Sequence, residues 1–146
     1  MFVREIEYSE LLQLLSIYTH LHDNKMPIID DEIETMWRRI MDDPNHHIIV
    51  GIENDIIISS CVLMIIPNLT QNQRPYALIE NVITHPEYRN KGYATQILDY
   101  AKNLATDNRC YKIMLMTGSK EGTVLNFYER AGYNRNDKTA FIQWLV

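Results

Sequence analysis

The segment Val82-Ile83-Thr84-His85-Pro86-Glu87-Tyr88-Arg89-Asn90-Lys91-Gly92-Tyr93-Ala94 passes from an apolar, β-forming run through a proline break and a basic turn into a helical pattern. That order restricts the fold severely. A helix fed by a strand must pack back on the sheet. The next β-rich stretch, Tyr111 to Thr117, is therefore expected beside the first as a near-parallel neighbour reached by a crossover. The turn also has chemistry of its own. The first N–H groups of a helix lack intrahelical partners and carry partial positive charge, so they receive anions. Gly92 allows close backbone approach, and Arg89 and Lys91 add charge, which points to a site for a phosphate-bearing cofactor.

The elements around this unit are also readable. After an apolar opening at Phe2 to Ile6, Ser9 can cap a helix carrying Leu11, Leu12, Leu14, Leu15 and Tyr18. Asp31 with Glu34 signals a second helix, whose Ile33, Met36, Trp37, Ile40 and Met41 recur at helical steps. His47 to Ile52 and Ile56 to Ile66 read as two antiparallel strands joined by the short polar turn Glu53-Asn54-Asp55. Tyr76 to Thr84 follows as a third strand. From Gly92 onward Ala94, Ile97, Leu98, Ala101, Leu104 and Ala105 form one apolar stripe, and Thr123 to Ala131 forms a helix closed by Gly132. Thr139 to Val146 is expected to give the sheet its last strand. The class is α+β, a mostly antiparallel twisted sheet flanked by helices in α/β/α layers, with one parallel crossover.

Composition narrows the function. At 146 residues the chain fits one domain, 1–146, with one core. A formal charge of -5 offers no global attraction to nucleic acid or to an anionic membrane, so anion binding has to come from the local cluster at Arg89 to Lys91. No apolar run approaches the roughly 20 residues of a membrane span, and the start carries no signal-type segment, so a cytoplasmic protein is expected. Cys61 and Cys110 lack partners at metal-ligand spacing and read as free thiols. His20-Leu21-His22-Asp23 has no third ligand placed, and no metal is expected.

Arg89-Asn90-Lys91-Gly92-Tyr93-Ala94 resembles the Q/R-x-x-G-x-G/A acyl-CoA signature of the GNAT N-acetyltransferase superfamily. Asn126-Phe127-Tyr128-Glu129-Arg130-Ala131-Gly132-Tyr133 is similar to that family's FYEK-x-GF segment, in the expected order along the chain. The resemblance covers nearly the whole chain. It implies acetyl-CoA as cofactor, with coenzyme A as product, in a cleft where the strand ending at Thr84 splays from Tyr111 to Thr117. Val82, Ile83 and Thr84 would hold the pantetheine arm like an added strand. The N–H groups of Asn90, Lys91, Gly92, Tyr93, Ala94 and Thr95, with Arg89, would hold the pyrophosphate. The family's N–H at a strand bulge corresponds to Val82.

Transfer from a thioester to an amine needs a neutral amine, a stabilised oxyanion and a proton for the thiolate. By the resemblance, Tyr128 is the general acid. Glu80, a carboxylate in an otherwise apolar strand, is the candidate base; partial desolvation would raise its pKa. The chain departs from many family members at Glu121, where they carry an asparagine seven residues before the tyrosine; Asn126 is the remaining nearby amide and a candidate pantetheine ligand. The expected acceptor is a small primary amine. Selectivity is assigned to His20 to Asp30 and Asn68 to Tyr76. Ile79 to Ile83, Cys110 to Ile113 and Phe127 to Glu129 are also similar to glucosamine-phosphate acetyltransferases, which suggests an amino sugar. A peptide or protein amine, a non-catalytic acyl-CoA sensor and a nucleotide-binding regulator are the rival readings. Many family members pair through C-terminal strands, so Phe141, Trp144 and Leu145 are read either as a homodimer surface or as core.

Overall fold

The computed structural model describes residues 1–22 and 25–146. One sheet has the order β1-β2-β3-β4-β5, from β1 (Phe2–Glu5), β2 (His46–Glu53), β3 (Ile56–Ile66), β4 (Tyr76–Thr84) and β5 (Ile113–Leu115). The first three pairings are antiparallel, and β4 with β5 is parallel. The crossover expected from the strand–turn–helix unit is therefore present. The helices are α1 (Leu11–Tyr18), α2 (Asp31–Asp42), the single turn α3 (Thr70–Gln73), α4 (Tyr93–Asp107) and α5 (Gly122–Arg130).

The sheet has a core on each face. Alternation along β2 sends Ile48 and Val50 to one side, with Leu14, Ile17 and Trp37 of α1 and α2, and Ile49 to the other, with Ile97, Leu98 and Ala101 of α4. Trp37 is buried and donates its ring N–H to the Tyr8 carbonyl at 3.0 Å, so its one polar atom is satisfied. Ile49, Leu63, Ile79 and Ile97 are almost fully enclosed, each worth roughly 1.5–3 kcal/mol of burial.

Local details shift some sequence boundaries. The first helix is preceded by a 3-10 turn, Tyr8–Glu10, in which the Glu10 carboxylate accepts from the Glu7 N–H at 2.8 Å and pairs with Arg4 at 2.7 Å; Ser9 is not the cap. Asp30 rather than Asp31 caps α2, accepting from the Ile33 N–H at 3.0 Å. The β2–β3 hairpin turns on Asn54 and Asp55 at φ +52° and +62°, the pair of left-handed residues a tight two-residue turn requires. Tyr111 to Thr117 is strand only at Ile113–Leu115.

The expected last strand is not in the sheet. Residues 139–146 form no ladder, and Phe141, Trp144 and Leu145 are exposed rather than core. Alternation and β-propensity are properties of a segment, whereas a strand exists only where an edge receives it. Among the described residues no helix is long and apolar enough to cross a membrane, and no group of three His, Cys, Asp or Glu side chains is placed to hold a metal. Asp23 of the histidine-rich segment, and with it part of the loop from His20 to Asp30, lies outside the described residues.

Candidate active site

The site is built on an irregularity in β4. Ser60 of β3 faces Ile83 and Val62 faces Glu80, so one residue of β3 stands opposite two of β4, Asn81 and Val82. This is a β-bulge. Asn81 takes φ +53°, a left-handed conformation that asparagine accepts more readily than most residues. The extra residue reverses the alternation: Ile79 packs in the core under α4, whereas Ile83 packs in the core under α1. Asn81 accordingly does not sit opposite Glu80; its side chain meets the hydroxyl of Tyr18 on α1. Burial pushes that hydroxyl up to about 12.

The bulge also opens the sheet. β5 accompanies β4 only at residues 77–79, and past them β4 has no strand neighbour on that side among the described residues. His85 N–H donates to the Ile58 carbonyl at 2.8 Å, so antiparallel alternation aims the main-chain groups of Ile83 at β3 and those of Val82 and Thr84 away from it. Ser59 Oγ donates to the Ile83 carbonyl at 3.0 Å and lies 2.9 Å from Thr84 Oγ1. Arg89 Nε donates to the Thr84 carbonyl at 3.2 Å, tying the basic turn to the strand end.

That turn is shaped for an anion. Asn90 and Gly92 have φ +62° and +78°, and a Cβ at Gly92 would meet nothing within 4 Å, so glycine is required by its dihedral and not by crowding. α4 then starts without a side-chain cap and without an acidic residue in its first turn. Its own ladder begins with Gln96 N–H donating to Gly92 O at 3.2 Å, which leaves the N–H groups of Tyr93, Ala94 and Thr95 outside that ladder.

One cavity of about 880 Å³ brings these parts together, within the range of cofactor sites. Val82, Ile83 and Thr84 form one wall; Arg89, Asn90, Gly92, Tyr93, Ala94 and Thr95 form the second; Asn126 and Tyr128 of α5 face them. Two residues expected in the site stand outside that lining. The Lys91 ammonium lies 5.1 Å from the centre of the Tyr88 ring, and Glu80 is exposed on β4 just before the bulge, without the desolvation expected of it. The cavity adds Tyr88, Thr123, Val124, Phe127, Arg130 and Ala131 to the site residues read from sequence. The three- and four-residue spacings of Val124, Phe127 and Ala131 around Tyr128 on one helix carried that signal.

Tyr128 is half-buried, with the Phe127 ring at 5.0 Å and the Tyr133 ring perpendicular at 6.3 Å. Burial, and to a smaller extent the nearby Cys61, raises its pKa above the usual tyrosine value. The hydroxyl is therefore a proton donor at neutral pH. Cys61 is fully enclosed and its thiol is pushed up to about 12 by burial, so it is inert.

Comparison with known proteins identifies the family and the fold. Residues 11–133 match the model of the acetyltransferase (GNAT) family. A solved structure from Agrobacterium tumefaciens str. C58, provisionally assigned as an acetyltransferase, is 32% identical, with 99% of this chain and 100% of that one covered and a TM-score of 0.91. Glucosamine-6-phosphate N-acetyltransferase from Arabidopsis thaliana shares the fold at 21% identity and a TM-score of 0.86, covering 99% and 98% of the two chains. Glucosamine 6-phosphate N-acetyltransferase of Trypanosoma brucei brucei is 30% identical over 82 residues, 56% of this chain and 54% of that protein. The match thus spans about half the length of this curated relative.

Proposed function

Because the chain belongs to the acetyltransferase (GNAT) family, we propose that it transfers the acetyl group of acetyl-CoA directly to the primary amine of a small molecule, with an amino sugar as the acceptor class. The observation that carries this reading is one cavity shared by the bulged end of β4, the uncapped start of α4 and Tyr128. The residues suit both ends of the cofactor. The free N–H groups of Tyr93, Ala94 and Thr95, beside Arg89, present positive charge to a pyrophosphate, and the outward main chain of Val82 and Thr84 suits an extended pantetheine arm, with Asn126 opposite.

When bound, acetyl-CoA supplies an activated acetyl thioester. The Val82 N–H donates to a carbonyl oxygen held at the bulge, stabilising the charge that develops there. Tyr128 Oη holds its proton at neutral pH and delivers it to a departing sulfur. Glu80 accepts a proton from the acceptor ammonium, through water given its exposed position.

The amino sugar is supported by the Trypanosoma brucei relative, whose name states glucosamine 6-phosphate as its substrate. The test is thiol release from acetyl-CoA with a panel of amines that includes glucosamine 6-phosphate, other amino sugars, polyamines and peptides. Turnover restricted to peptides would overturn the acceptor class. Coenzyme A binding without thiol release for any amine would replace the enzyme by an acyl-CoA sensor.

A further inference from the structure

Tyr76, Leu78 and Glu80 stand at alternate positions of β4 before the bulge, so they share the face turned away from α4, beneath which Ala77 and Ile79 are buried. β5 continues this face. Leu78 is paired with Met114, both half-buried, and one step earlier the Lys112 ammonium lies 5.3 Å from the centre of the Tyr76 ring. The same ammonium lies 5.3 Å from the centre of the Tyr111 ring, and the Arg74 guanidinium lies 5.9 Å from it. The two rings meet edge-on at 6.3 Å. One strip of sheet therefore runs from Glu80 over an apolar floor to two cations gathered on two tyrosines. In a chain of formal charge -5 these cations lack a carboxylate partner: among the described residues neither enters an ion pair, and neither tyrosine hydroxyl makes a hydrogen bond. Their donors are unspent.

We propose that Arg74 and Lys112, with the hydroxyls of Tyr76 and Tyr111, bind a phosphate at the end of the acceptor remote from its amine, so that the amino sugar acetylated is a phosphorylated one. Two cations match the charge of about -1.5 to -2 on a phosphate monoester, and the ring faces hold each cation without using its N–H donors. The scaffold is braced. Gln71, Asn72 and Gln73 take φ +53°, +59° and +57°, successive left-handed residues, and Asn68 Nδ2 donates across the turn to the carbonyls of Thr70 and Arg74 at 3.1 and 3.3 Å. Strain of this kind gathers at ligand clamps, and here it delivers Arg74. Tyr111 N–H donates to the Pro75 carbonyl at 3.0 Å, which ties the two halves of the cluster together. The length also fits. Tyr76 and Glu80 are about 13 Å apart along the strand, and that gap, less the reach of the long Glu80 and Lys112 side chains, is the span of a sugar with a terminal phosphate. None of the four residues lines the cofactor cavity, so the subsite does not compete with the one assigned to coenzyme A. The identity of its ligand as an acceptor rests on the acetyl-transfer reading.

The test compares glucosamine 6-phosphate with glucosamine and with muramic acid, an amino sugar whose anion is a carboxylate. In thiol-release assays kcat/KM for glucosamine 6-phosphate is expected to exceed that for either other sugar by about 10²-fold or more. Lys112→Met and Arg74→Met keep most of the side-chain length without the charge. Each should cut that preference by about 10-fold, through KM rather than kcat, whereas Lys112→Arg should keep most of it. Thermal melts check that the variants fold. Calorimetric titration of glucosamine 6-phosphate onto the protein saturated with coenzyme A reads the subsite without turnover, and binding should weaken by about 10-fold in each Met variant. Equal kcat/KM for glucosamine and its 6-phosphate, a preference for muramic acid, no binding of the phosphate sugar, or binding that ignores both substitutions would each overturn the subsite. Absence of thiol release with every amine, while Lys112-dependent binding of glucosamine 6-phosphate persists, would overturn acetyl transfer and uphold the subsite.

Discussion

At the scale of single residues, the two candidate proton carriers differ in environment, and their substitutions separate their roles. Tyr128→Phe removes one hydroxyl and keeps the ring that Phe127 and Tyr133 pack against. Turnover is expected to fall by about 10²-fold or more, with coenzyme A affinity nearly unchanged, since only the departing sulfur needs that proton. Rapid-mix kinetics and equilibrium titration check the two halves, and unchanged turnover would remove Tyr128 from the mechanism. Glu80 is exposed, so Glu80→Gln should leave the melting temperature within error of the parent. It should lower turnover by roughly 10-fold to 10²-fold, most strongly where the amine is charged. A pH–rate profile unaltered by this change would show that the acceptor loses its proton elsewhere.

At the scale of elements, the bulge and the turn act together through short bonds. Arg89 ties to Thr84, and Ser59 holds Ile83, so the strand end and the helix start keep a fixed relation. Gly92 is where this arrangement is most easily tested. In Gly92→Ala the new Cβ meets no atom within 4 Å, but φ +78° remains, so the cost is conformational, about 1–2 kcal/mol. Urea unfolding should show that loss, and coenzyme A binding should weaken several-fold as the turn relaxes toward negative φ. Full retention of both would mean that the turn tolerates a side chain, contrary to its geometry.

At the scale of the whole molecule, burial makes stability depend on pH at the alkaline end. Cys61 is raised from 9.0 to about 12, and Tyr18 and Tyr133 from 10.0 to about 12, in each case chiefly by burial. The folded state keeps these protons to higher pH than the unfolded chain does, so the unfolded chain releases them first. Their contribution is complete below about pH 9 and declines as pH rises toward about 12. Urea midpoints from pH 8 to 11 should fall accordingly. Cys61→Ala should delay the start of the decline by about one unit, into the range where the tyrosines take over.

The strand–turn–helix from Tyr76 to Asp107, the hairpin at Asn54 and Asp55 and the helical stripe of α4 were legible because each is coded locally: by a period, a proline break, or residues that accept a particular dihedral. The turn at Arg89 to Gly92 stood out by residue type and spacing, and Tyr128 by its resemblance to a family motif; Arg89, Asn90, Gly92 and Tyr128 line one cavity. The bulge was not legible. Nothing around Asn81 forces an inserted residue; it arises from how β4 registers on β3. The tail shows the same limit from the other side. Its pattern encodes a strand, but a strand needs an edge, and β5 does not receive it within the chain. Local preference thus follows from the order of residues alone, whereas pairing register, cavity walls and burial depend on contacts between distant segments, which only the tertiary structure decides.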